Sequence, residues 1–280
     1  MRCAWLWLVA VGCRAAPDAD VVLRFTPDPG APGTERYQCF GFAATPLADA
    51  DIGGITFAPG TGPVAVHHIT LYASPSPFAA GPVDCLEMPD DAVPMNVWAP
   101  GGGDLALPAD VSLVIPGGTT HLIVQTHALR NDDGAASEDA ITLAPREPAL
   151  HRAGWLPLRA PVPVIQPGQR TEVTATCTVD AALHLVSTWP HMHQIGSEFH
   201  GAIVRGSTAS EALVDVVPWV FDTQHAYPVD AQLAAGDAIS THCIWQNATS
   251  QPVLPGPRIT DEMCGQSMIA YPYEAARCHQ

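Results

Sequence analysis

Val64-Ala65-Val66-His67-His68-Ile69-Thr70-Leu71-Tyr72 is the stretch from which the fold is read: a run of strand length, rich in β-branched residues, preceded by Gly62-Pro63 and followed by Ser74-Pro75. Similar short runs stand at Val111 to Ile115, His121 to Leu129 and Ile141 to Leu143. After Gln166-Pro167-Gly168 the pattern restarts at Thr171 to Val179, Ala182 to Trp189, Phe199 to Val204, Ala238 to Trp245 and Met268 to Tyr271. Runs of period two cut by Gly/Pro turns spell β-strands, and no long amphipathic helix interrupts them. The fold class is therefore all-β, and the length suits two antiparallel β-sandwich domains, residues 37–152 and 153–280. The Pro/Asp/Gly-rich stretch 17–36 reads as a tether leading into the first of them.

Composition narrows the functional classes. With 28 Pro, 23 Gly, 14% charged and 47% hydrophobic residues, the chain is loop-rich and able to fill two cores. A formal charge of -16, with twelve arginines and no lysine, argues against nucleic acid and anionic membrane surfaces as partners. Residues 1–16 form a secretory signal too short to span a membrane, and Ala10-Val11-Gly12-Cys13 has the shape of a bacterial lipobox. Cys13 is thus the expected lipidation site, and the chain is expected in a bacterial cell envelope, membrane-bound only through that anchor. Export makes the other six cysteines a disulfide framework. A boundary between Cys85 and Cys177 leaves Cys39 to pair with Cys85, while Cys177, Cys243, Cys264 and Cys278 keep three arrangements open. Gly101-Gly102-Gly103 lacks the lysine and strand-to-helix setting of a phosphate loop, and Asn247-Ala248-Thr249 is read as an incidental glycosylation sequon.

The chemistry sits in the histidines. His67-His68 and Gln125-Thr126-His127 lie in the first half; His191-Met192-His193 and Asp261-Glu262-Met263-Cys264 lie in the second. Three imidazoles, and separately two imidazoles with a thioether, make two sites of three ligands each. Imidazole serves several first-row metals, but a thioether favours Cu(I), so the pattern points to copper. Three ligands also leave a coordination position open, as reactive rather than structural sites do. His191 and His193 leave the same face of a strand while Met192 points away, and Gln125 shares a face with His127. His67 and His68, as neighbours, can meet one metal only if a bulge or strand end re-aims one of them. Met263 stands in a polar context unlike a core position, whereas Met268 reads as core. His121, His151, His184, His200, His225, His242 and His279 have no comparable partners and are read as structural.

Taken in order, these pieces resemble the copper type II, ascorbate-dependent monooxygenases, the family of dopamine beta-monooxygenase and the peptidylglycine alpha-hydroxylating enzymes. The resemblance runs from about Cys39 to Cys278 and includes Phe221-Asp222-Thr223-Gln224, Tyr227 and the Gly236-Asp237 turn before Cys243. It implies two jelly-roll-like domains facing each other across a solvent-filled interdomain cleft. It implies an electron-transfer copper on His67, His68 and His127 and an oxygen-binding copper on His191, His193 and Met263, with Gln125 ordering the path between them. It also implies the disulfides Cys39–Cys85, Cys177–Cys278 and Cys243–Cys264. The activity implied is hydroxylation of an activated C–H bond of a small organic substrate by O2, with ascorbate or another one-electron reductant as co-substrate. The alternative is a non-catalytic copper-binding or degenerate cell-surface member. Trp189 stands where the peptide-amidating branch has an arginine that clamps the substrate carboxylate, and Gly265 and Ser267 replace its asparagine and tyrosine, which disfavours a glycine-extended peptide.

Overall fold

A computed structural model describes residues 19–28, 30–47, 50–60, 64–130, 137–206 and 209–279, and the residues expected to form a signal and lipobox lie outside them. The described residues hold strands and three short 3-10 turns, with no α-helix and therefore no helix long and apolar enough to cross a membrane. The strands make three sheets. One five-stranded sheet belongs to the first half, with Glu35–Ala43, His121–Arg130, Val64–Ser74 and Val93–Trp98 in spatial order after the short edge Val83–Asp84. Another belongs to the second half and is built on Ala209–Val216, Gly196–Arg205, Ala238–Gln246, Arg170–Val179 and Cys278–His279.

The third sheet runs through both halves. Its path is Val21–Phe25, Asp139–Arg146, Asp51–Ala58, Val111–Leu113, His151–Arg159, Cys264–Tyr271, Leu183–Met192 and Tyr227–Leu233. The joint is one strand: His151 to Ala153 pair in parallel with Val111 to Leu113, and Gly154 to Arg159 pair antiparallel with Ala270 to Gly265. The expected boundary at 152 thus falls inside a strand shared by both sandwiches. The stretch expected as a tether also folds, because Val21–Phe25 alternates Leu23 and Phe25 inward and completes the sheet edge against Asp139–Arg146. Tether composition and strand composition overlap here, and only the inward phase of Leu23 and Phe25 separates them.

The core follows the alternation. Leu23, Ile55, Ile69, Leu71, Leu113, Val124 and Leu143 fill the first sandwich, and Leu156, Leu185, Ile203, Ile239 and Met268 fill the second. A third cluster, Phe199, Trp219, Trp245 and Met192, closes the end near the candidate site. Each such side chain stabilises by about 1.5–3 kcal/mol when buried. Disulfides join Cys39 to Cys85, Cys177 to Cys278 and Cys243 to Cys264, the pairing that the resemblance implies. Each contributes about 2–4 kcal/mol, and together they are the chemistry of an oxidising compartment. At the joint, Arg152 donates from Nε and Nη2 to both oxygens of buried Asp51 at 2.8 and 2.7 Å, and the Ser112 hydroxyl donates to the same carboxylate. Asn247 of the sequon is fully buried, its amide donating to the carbonyls of Ile165 and Gln251.

Candidate metal centre

The first histidine cluster is a product of strand pairing. On a regular strand His67 and His68 would point to opposite faces. The register of Val64–Ser74 against His121–Arg130 shifts between Val66 and His68, which is the bulge the pair requires, and it sets His68 directly opposite His127. Ligand nitrogens of His67, His68 and His127 come within 4.8 Å of one another, and Nδ1 of His67 lies 3.2 Å from Nδ1 of His68. His127 donates from Nε2 to Glu35 Oε1 at 2.5 Å, so its Nδ1 is the lone-pair nitrogen, and Tyr37 stacks on the same ring at 4.0 Å. Carboxylate support on the far nitrogen is how proteins orient a ligand imidazole. His67 Nε2 and His127 Nδ1 are buried with no protein partner. Each such atom costs about 1–3 kcal/mol, so the trio is matched to a ligand that takes lone pairs. Burial, and for His67 and His68 their neighbouring imidazoles, holds all three rings below the usual histidine range; for His127 the Glu35 carboxylate opposes this. Neutral imidazole is the form that binds metal.

The second cluster is held by loops. His191 lies near the end of Leu183–Met192 and His193 just past it, with ring centroids 5.0 Å apart, while Met192 turns into the core beside Trp219 and Phe199. His191 donates from Nδ1 to Gln224 Oε1 at 2.8 Å, and His193 donates from Nδ1 to the Asp261 carbonyl at 3.0 Å, leaving Nε2 as the lone-pair nitrogen of both. His193 Nε2 is buried and without a partner. Burial is the main reason both rings sit low, His193 at about 4. Met192 pairs with Cys264, which brings half-buried Met263 to the same end of the ladder as His193.

Glu262 organises that end. It is 1% exposed, and its carboxylate accepts from the backbone of His193, Ile195 and Met263 and from Trp245 Nε1. Burial pushes its acid up to about 7 against the pull of those four donors. In the sequence Glu262 and Gln224 stand out only as parts of motifs, and Glu35 and Tyr37 carry no signal of their role; the polar frame around Met263 is the one local sign.

Both clusters border a cavity of about 820 Å³, with His68 and Gln125 on one side and Trp189, His191 and Met263 on the other. Trp189 stacks on His191 at 5.0 Å and so forms part of the wall. The Gln125 amide donates to the Cys85 carbonyl at 2.8 Å and its oxygen accepts from Tyr72 at 3.4 Å, so it braces that wall and is bonded to neither cluster. The clusters border this cavity and also touch each other directly. His67 and His193 meet edge to face at 5.3 Å, and Phe221 stacks on His67 at 4.8 Å. Close docking explains it: Gln224 N donates to the Pro100 carbonyl at 2.9 Å, and a Cβ on Gly101, at φ 83°, would stand 2.5 Å from Thr223 Cα. Of the histidines read as structural, His184, His200 and His279 pair with Asp230, Asp215 and Asp180.

Residues 152–280 match the family described as copper type II ascorbate-dependent monooxygenase, C-terminal domain. The matched segment contains His191, His193 and Met263. No curated protein matches the chain significantly. Among solved structures, the major capsid protein P2 from Bacteriophage PM2 is similar at 8% identity and TM-score 0.35, over 90% of this chain and 97% of that one. The STIV MCP is similar at 10% identity and TM-score 0.33, over 93% and 95%. Likeness at that level carries no argument about activity.

Proposed function

From the match of residues 152–280 to the copper type II ascorbate-dependent monooxygenase C-terminal domain family, we propose that this chain is an exported dicopper monooxygenase. It hydroxylates an activated C–H bond of a small organic substrate with O2 and a one-electron donor such as ascorbate. The observation that carries the reading is the pair of ligand sets bordering one cavity, three of whose imidazole nitrogens are buried and unpartnered. Copper bound there would supply the one-electron chemistry and oxygen activation.

The protein's own part is positional. His67, His68 and His127 would hold one ion, and His191, His193 and Met263 the other. Glu35, Gln224 and the Asp261 carbonyl fix which nitrogen of each supported ring carries the proton. The thioether selects the reduced ion at the second set. The cavity has the size of a small-molecule site, and Trp189 and Tyr72 give it aromatic walls for an apolar substrate. Glu262 and the Cys243–Cys264 disulfide hold Met263 in place.

The test is metal content and oxygen uptake of the mature chain. Two coppers per chain, falling to one in His191→Ala/His193→Ala, with ascorbate-driven oxygen uptake lost in Met263→Ala, is the expected result. Copper retained without oxygen consumption over a broad substrate panel would instead make the chain a copper binder. No retained copper would remove both readings.

A further inference from the structure

We infer that Glu35 is a positioning residue for both clusters at once, tying the histidine trio of one half to the loop that carries Met263 and orients His193 in the other. One carboxylate oxygen does both jobs. Glu35 Oε1 accepts from His127 Nε2 at 2.5 Å and from the backbone amide of Ile259, 224 residues away, at 2.7 Å. The loop that contains Ile259 also supplies the Asp261 carbonyl to His193 Nδ1 and leads into Met263. A second contact runs in parallel: Tyr37, stacked on His127, donates its hydroxyl to the Pro257 carbonyl at 2.6 Å.

The consequence is reciprocal. Whatever fixes the His127 ring fixes the carboxylate that holds the loop, and whatever orders the loop orders the carboxylate behind His127. Ion uptake at either cluster therefore tightens uptake at the other. This rests on the proposal that the two sets bind metal, and the experiment separates the two ideas.

The probe is cuprous ion, titrated without oxygen against a chromophoric chelator. In His191→Ala/His193→Ala, only the first cluster takes up metal. There Ile259→Pro, which deletes the amide donor from the far half, is expected to weaken binding about tenfold. Residue 259 is the second position of a turn closed by Asp261 N donating to the Arg258 carbonyl, where proline is well accommodated. Ile259→Ala keeps the amide and is expected to leave affinity unchanged. In His67→Ala/His68→Ala, Glu35→Gln is expected to weaken the second cluster about tenfold although it touches none of its ligands. Near-ultraviolet circular dichroism of the metal-free variants checks that each is folded. Unchanged affinity in both cross-half variants, or an Ile259→Ala loss equal to that of Ile259→Pro, would overturn the inference while leaving the metal sites standing. Absence of copper from the parent chain would overturn the metal reading and this inference with it.

Discussion

The two histidine clusters solve the same problem with different materials. His67, His68 and His127 stand on adjacent paired strands, and one bulge in that ladder brings them together. His193 and Met263 stand just outside strand ends, and a single buried carboxylate, Glu262, collects the backbone around them. A cluster built from sheet is as rigid as its ladder, whereas one built from loops is only as firm as the group that gathers them. The Met263 thioether, proposed as a ligand of the second cluster, is thus carried by the more adjustable frame.

Glu262→Ala should separate the two most sharply. It leaves four N–H donors without their acceptor, and a loss of about 1–3 kcal/mol for each donor that stays buried is expected in denaturant unfolding. Copper at the second cluster should disappear while the first keeps its ion, weakened at most about tenfold by the lost loop order. Equal loss at both sites would break the distinction.

Acid should act next, and with opposite signs on the two kinds of group. The five clustered histidines titrate lower when folded than when unfolded, so the unfolded chain binds more protons. Their contribution is complete above about pH 6.5 and is lost as pH falls, with His193 charging near 4. Glu262 is raised from 4.5 to about 7, so its contribution is complete below 4.5 and is lost as pH rises through 7. The metal-free chain should melt at lower temperature at pH 5 than at pH 7, and Glu262→Gln should make that dependence steeper. A flatter profile in the variant would contradict the sign.

Gln224→Leu is the mildest change. It removes the acceptor that orients His191 and should weaken copper at the second cluster about tenfold without altering the first. A cuprous titration of both sites decides it.

Much of this was legible in the sequence, and for identifiable reasons. Period-two alternation marked the strands that carry His127 and His191, and the adjacency of His67 and His68 demanded the bulge that is present. The strand Val21–Phe25 was missed because a five-residue edge among Pro, Asp and Gly offers little alternation to read. The roles of Glu35, Gln224 and Glu262 escaped because the groups they tie to the clusters, His127 and Ile259, His191, and His193, lie 33 to 224 residues away, and such pairing leaves no local pattern. The ring contact between His67 and His193 was hidden too, since it depends on how the Pro100–Gly102 turn receives Thr223 and Gln224.

The shared strand His151–Arg159 has a mechanical consequence. Domains that swing apart do so about loop or element-terminal residues whose dihedrals are free to change. Here the chain passes from one half to the other inside a hydrogen-bonded ladder, braced by Asp51 and Arg152. Relative motion is thereby limited to elastic twisting of a continuous sheet, and traffic to the cavity has to pass through its rim rather than through parting halves.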